Sequence, residues 1–211
     1  ASGWRTGDFA RHGHSEMLRI RLAEQTAESK STCGEDCNTK DADEAAGNGF
    51  VDAIRVLRTG DIHCTSRGAD WAAKRGHLRV IQDLRENGIH CTPVGADWAA
   101  CLGHLELVRD LRAHKVHCTF AGANRAAMCG HLEVLRDLRA HNIHCTSQGA
   151  NWAAEHGHVA VVRDLRAHGI HCTTQGADGA AANGHAEAVR DLLVNGISCS
   201  LNGADWAAGN G

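Results

Sequence analysis

Apolar positions recur in this chain on two scales, a short one within helices and a long one between them. Leu78, Val80, Ile81 and Leu84 fall on one face at helical spacing, which predicts an amphipathic helix opening at the preceding His77. The stretch before it carries Ala72 and Ala73 among polar residues; this predicts a first helix whose small side chains let neighbours approach closely. The pair then repeats. Gly-His dipeptides end at His77, His104, His131, His158 and His185, at successive intervals of 27 residues. The Ile-His-Cys-Thr stretch that begins at Ile62 returns with the same spacing at Ile89, Val116, Ile143, Ile170 and, in altered form, Ile197. A fixed period of this size denotes stacked supersecondary units that bury their faces only against each other.

Boundary residues support two short helices per unit. Thr65, Thr92, Thr119, Thr146 and Thr173, with Ser200 in the last unit, stand where an N-cap is wanted. The single proline, Pro93, follows Thr92 directly, at the helical position where its missing N–H matters least. Gly76, Gly103, Gly130, Gly157 and Gly184 suit left-handed stops after the first helix. The second helix is expected to end near Gly88, Asn142, Gly169 or Gly196, with Lys115 as the odd substitute.

These residues resemble the ankyrin repeat. Gly130 to Arg139 looks like that family's second helix, Ala69 to His77 stands at its L-H-x-A-A-x-x-G-H segment, and Gly169 to Thr173 at its G-A-D-V-N segment. The resemblance implies an all-α, right-handed α-solenoid of stacked helix-turn-helix ankyrin-like repeats. Since the usual repeat is about 33 residues, it also implies a unit lacking most of the β-hairpin finger. The expected division is a degenerate N-terminal capping repeat with a polar insertion over residues 1–40, then an array over residues 41–211 ending in a half repeat. Such an ending exposes an Ala-lined face, which the natural protein is expected to continue or a neighbour to cover.

Composition at first suggests metal chemistry, with ten Cys and sixteen His in 211 residues. Sorted by register, most of these residues are copies of a few positions. Cys64, Cys91, Cys118, Cys145, Cys172 and Cys199 form one column, beside outward-pointing His63, His90, His117, His144 and His171. Adjacent residues of an extended stretch face opposite sides, and equivalent residues of stacked units lie about 10 Å apart. Neither arrangement assembles donors within zinc-bond distance of one ion, so buried structural Cys and no metal or other cofactor is the expectation. Cys33 and Cys37 sit apart in a polar loop, where a local disulfide, two thiols or half a metal site all remain open. Cys101 and Cys129 read as incidental surface variants.

Net charge is −3, 43% of residues are hydrophobic and only 4% aromatic; no apolar run reaches the roughly 18 residues of a membrane span. No nucleophile–base pattern, phosphate loop or H-E-x-x-H is present, and repetition itself argues against one asymmetric catalytic constellation. The protein therefore reads as a non-enzyme. Trp71, Trp98, Trp152 and Trp206 share a column that holds Arg125 and Gly179 in other units, followed by a variable pair of positions. By the resemblance this face is the concave surface that holds a protein partner, with Trp71, Lys74, Arg75, Trp98, Leu102, Arg125, Met128, Trp152, His156 and Trp206 as contact residues. Arg109, Arg136, Arg163 and Arg190 form a stripe beside Asp83, Asp110, Asp137, Asp164 and Asp191. This reads as a solvated, self-neutralising face and, with the net charge, argues against nucleic acid. Two other readings stay open: a peripheral subunit of a large assembly, such as an algal photosynthetic or other organellar complex, and a metal- or pH-responsive binder. Regular unpaired Cys suit a reducing, intracellular compartment, cytoplasmic or organellar, a plastid included.

Overall fold

The computed structural model describes residues 5–27, 37–201 and 203. Among the described residues every regular element is an α-helix, and the helices come in consecutive pairs. These are α1 (Thr6–Arg11) with α2 (Ser15–Ala27), α3 (Thr39–Gly47) with α4 (Val51–Thr59), and α5 (Ser66–Lys74) with α6 (Leu78–Glu86). After them come α7 (Pro93–Cys101) with α8 (Leu105–Ala113), α9 (Phe120–Met128) with α10 (Leu132–Ala140), α11 (Ser147–Glu155) with α12 (Val159–Ala167), and α13 (Thr174–Ala182) with α14 (Ala186–Val194).

Two compact units divide the chain, residues 1–96 and 97–211. In the first, α1, α3 and α5 pack side by side as one layer, and α2, α4 and α6 as the other. In the second, α9, α11 and α13 form the first-helix layer, and α8, α10, α12 and α14 the second-helix layer. Each unit is an all-α solenoid. A repeat such as Ser66–Thr92 is consumed by two nine-residue helices and their linkers, which leaves no residues for a β-hairpin.

The helix pairs hold together as the spacing requires. Leu57 and Leu84 in one unit, and Leu111, Leu138, Leu165 and Leu192 in the other, are at most 2% exposed. Burying one such side chain stabilises the fold by about 1.5–3 kcal/mol. On the first helices, Ala72, Ala73, Ala126 and Ala127 are fully buried, and their small volume allows close approach. The Cys column is core: Cys64, Cys91, Cys118, Cys145 and Cys172 are buried, while the adjoining His63, His90, His117, His144 and His171 are exposed. Burial pushes the thiols of Cys64, Cys118 and Cys145 up to about 12.

One device was not legible as such. Each first helix from α3 to α13 carries an Asp or Asn, buried or half-buried, that brackets the capping residue of the next repeat. Asp97 Oδ1 accepts from the Thr119 N–H and Oδ2 from the Thr119 hydroxyl, both at 2.7 Å; Asp43 does the same to Thr65, and Asp178 to Ser200. With its proton given to the carboxylate, the Thr119 oxygen accepts from the Ala121 N–H at 3.1 Å and caps α9. Where the bracket is an amide this fails. Asn124 Nδ2 donates to the Thr146 hydroxyl at 2.9 Å, and Asn151 Nδ2 to that of Thr173 at 2.9 Å. Neither Thr146 nor Thr173 then makes a side-chain cap bond, so the expected N-cap role is corrected at these two positions. Gly122 is part of the bracket: a Cβ there would meet Asp97 Cα at 2.9 Å.

The Arg and Asp stripes of the second helices also differ from expectation. They are inter-repeat clamps in which the Asp is closed off while one arginine of each pair stays exposed. Asp164 receives Arg136 Nε at 3.1 Å and Arg139 at 2.7 Å from the preceding repeat, and Asp191 receives Arg163 at 2.7 Å and Arg166 at 2.6 Å. Asp137 is held likewise by Arg109 and Arg112, and Asp83 by Arg55 and Arg58. The side chain of each acceptor is 6–10% exposed. Burial alone would raise the carboxyl of Asp137, but the hydrogen bonds from Arg112 and Arg109 outweigh it and hold the group below its usual range.

Candidate functional site

Three sets of chemistry-bearing residues emerge from this frame. The Gly-His column is structural. A Cβ on Gly103 would collide with the imidazole of His131, which lies over that backbone and bonds to the main chain of Cys101. Burial lowers the His131 and His158 imidazoles below their ordinary value, so both are neutral packing elements near pH 7. The second set is metal-ligating residues. Among the described residues, no group of three or more His, Cys, Asp or Glu could hold an ion. Cys37 is buried, with its thiol pushed up to about 12 by burial; its suggested partner Cys33 lies outside the described residues.

The third set is the outer surface of the first helices, where the variable column falls. In the first unit Trp71 is 37% exposed, and the Arg67 guanidinium sits 4.9 Å from the centroid of its ring. Arg67 is anchored from below by Asp43, Nε to Oδ2 at 3.4 Å. Arg75 donates to the Gly47 carbonyl at 2.8 Å and to the Asn48 side chain. With Glu44 and Lys74, Trp71, Arg75 and Asn48 line an open hollow of about 400 Å³. Three cations, Arg67, Lys74 and Arg75, and two carboxylates, Asp43 and Glu44, thus lie around one partly exposed indole.

The second unit repeats the motif with the roles displaced by one repeat. The Arg125 guanidinium lies 4.9 Å over the ring of Trp98, which is half-buried, as are Met128 and Trp152. Leu102 is 43% exposed. His156 is exposed, with Nδ1 2.9 Å from the Trp152 carbonyl oxygen and its ring stacked on that of His158 at 6.4 Å. Trp206 lies outside the described residues. The Trp column is therefore partly packed and partly open, the two Arg–Trp stacks being its common element. Comparison of units pointed to the Trp and Arg125 column, but not to Arg67, whose role depends on contact with Asp43 across a repeat. Cys101 departs from its surface assignment: it is 3% exposed, and its Sγ lies 3.7 Å from that of half-buried Cys129.

No family model matches the chain, and no curated protein does. Solved structures do resemble it. One is the pentatricopeptide repeat protein PPR10 from maize, with a TM-score of 0.50 at 11% identity over 97% of this chain and 36% of that one. Another is PPR10 in complex with an 18-nt psaJ RNA element, with a TM-score of 0.48 at 15% identity over 97% of this chain and 35% of that one. The chain thus spans about a third of that protein's length. The similarity supports an all-α solenoid fold and overturns the ankyrin assignment, since the matching arrays are of the pentatricopeptide kind. The protein-partner function carried over from ankyrin arrays falls with it. The expectation against nucleic acid is corrected too. It rested on net charge and a solvated, self-neutralising stripe, yet Asp83, Asp137, Asp164 and Asp191 are closed into arginine clamps between repeats and Asp43 and Asp97 into brackets on the next repeat's cap.

Proposed function

We propose that the protein is a non-catalytic binder of single-stranded nucleic acid, RNA foremost, through the first-helix surfaces of its units. The observation that carries this reading is the pairing of an indole with a stacked guanidinium, Trp71 with Arg67 and Trp98 with Arg125. Bases stack on aromatic and guanidinium planes, and cations on the same surface meet the phosphates. Arg136, Arg139, Arg163 and Arg166 of the second helices are held by Asp, while Lys74 and Arg75 line the hollow beside Trp71, and Arg67 and Arg125 stack on indole rings. Variation of this column between repeats against a constant core suits a reader that treats successive nucleotides differently. PPR10 has been solved with an RNA element bound; the support within this chain is its own side chains. Buried thiols in successive repeats, Cys64, Cys91, Cys118, Cys145 and Cys172, suit a reducing compartment, organellar or cytoplasmic.

Fluorescence anisotropy with a labelled single-stranded oligoribonucleotide, over a range of salt concentrations, tests the proposal. Binding should weaken steeply with salt. Trp98→Ala and Arg125→Ala should each lower affinity by about 5- to 100-fold, the range for loss of one stacking platform. Bound strand should also quench tryptophan fluorescence. No binding at low salt, or affinity unchanged in both variants, would reject the assignment.

A further inference from the structure

We propose that Cys101 and Cys129 form a dithiol modification site that a small-molecule disulfide converts into an inter-repeat cross-link. Cys101 is the last residue of α7 and Cys129 the C-cap of α9, 28 positions apart with their Sγ atoms at 3.7 Å. The proximity follows from the stack. The residue in the Cys129 register reaches back across 28 positions in other repeats as well: Arg75 to the Gly47 carbonyl at 2.8 Å, and Asn183 to the Glu155 carbonyl at 3.1 Å. Of the positions so related, only 101 and 129 hold Cys at both ends. A covalent S–S bond is about 2.05 Å, and modest side-chain rotations at the two helix ends can supply the remaining approach.

The two thiols divide the chemistry. Cys129 is half-buried and reachable, whereas Cys101 is buried behind it. The Cys129 thiolate attacks one sulfur of oxidised glutathione, which breaks the glutathione S–S bond and releases one glutathione thiolate. The Cys101 thiolate then attacks the Cys129 sulfur of the mixed disulfide and expels the second. The protein loses two electrons and two protons, and both protons end on the released glutathione thiols. Closure would join the C-terminal ends of two first helices and fix the spacing beneath Trp98 and Arg125.

The full chain, first reduced and then equilibrated with oxidised glutathione, is alkylated and mapped by mass spectrometry. The expected product is a linked peptide pair containing Cys101 and Cys129, in a protein lighter by two hydrogens. Its thermal midpoint should rise by about 5–10 °C, reversibly with dithiothreitol, as closure of a loop of this length implies. Cys129→Ala should retain the helical signal of the parent and lose both the link and the shift. Absence of the linked peptide in the parent chain would overturn the proposal, as would a lasting glutathione adduct on Cys129 with Cys101 still open to alkylation after unfolding.

Discussion

Asn124→Asp should stabilise the protein, an unusual direction for placing a carboxylate in a buried site. In the parent chain the Asn124 amide donates to the Thr146 hydroxyl at 2.9 Å, and α11 begins without a side-chain cap. A carboxylate there has no proton to give. It would accept from the Thr146 N–H, now bound to Asn124 Oδ1 at 2.8 Å, and from the hydroxyl, as Asp97 does from Thr119 at 2.7 Å for each bond. The Thr146 oxygen would then be turned to accept from the Gln148 N–H. A restored N-cap contributes about 1 kcal/mol. Desolvation of the new charge opposes this, but the same two donors already satisfy buried Asp97. The expected net gain is about 0.5–1 kcal/mol, or a urea midpoint raised by about 0.3 M at the slopes usual for such chains. Amide exchange at Gln148 should slow in parallel. Thr146→Val should cost more in the Asn124→Asp background than in the parent, where the hydroxyl makes no cap bond. A lowered midpoint, or equal cost of Thr146→Val in both backgrounds, would refute the bracket as the cause of capping.

Other perturbations follow from the same geometry. Leu138→Ala, at a position 1% exposed, should cost about 2–5 kcal/mol through lost burial and a residual cavity; a loss below about 1 kcal/mol in urea unfolding would contradict its place in the core. Lys115 sits at φ 66, where equivalent positions hold Gly88 and Gly169 at φ 77 and 79. Lys115→Gly should therefore gain about 0.5–1 kcal/mol, since relief of left-handed strain exceeds the added entropy of the unfolded chain, and thermal melts would show it. Acidification should weaken the fold in two windows. His131 and His158 are lowered from 6.5 by burial, so their contribution is complete above 6.5 and is lost as pH falls from there through their folded values. Asp83, Asp137 and Asp164 lie below 3.8 because arginine hydrogen bonds outweigh burial, and Asp191 chiefly through Arg166. Their contribution is lost only as pH falls below 3.8. Urea midpoints across a pH series would show both steps, and His131→Gln should shrink the first.

Much of the architecture can be read from the amino-acid order because a repeat states its own rules several times. The 27-residue interval, the leucines from Leu57 to Leu192, the paired alanines and the buried cysteines all follow from local periodicity. A helix needs one apolar face wherever it sits, so period and polarity suffice to place each helix and its inner side. The helix end at Lys115 was legible for the same reason: its register holds Gly88, Asn142, Gly169 and Gly196 in other repeats. The choice between repeat families was not, because Gly-His and Ala-Ala serve any array of closely packed short helices.

What only tertiary structure decided are contacts between one repeat and the next. Asp97 and Asn124 look interchangeable in sequence, yet one frees a threonine hydroxyl to cap a helix and the other occupies it. The Asp and Arg stripes look like a wet surface until Asp164 is seen closed between Arg136 and Arg139. Cys101 and Cys129 look like unrelated variants until stacking sets their sulfurs 3.7 Å apart. Sequence spacing determines which face of its own helix a residue occupies. The partner across a repeat depends on the offset between stacked helices, and that offset is set by how all the small and large side chains of two repeats fill the space between them.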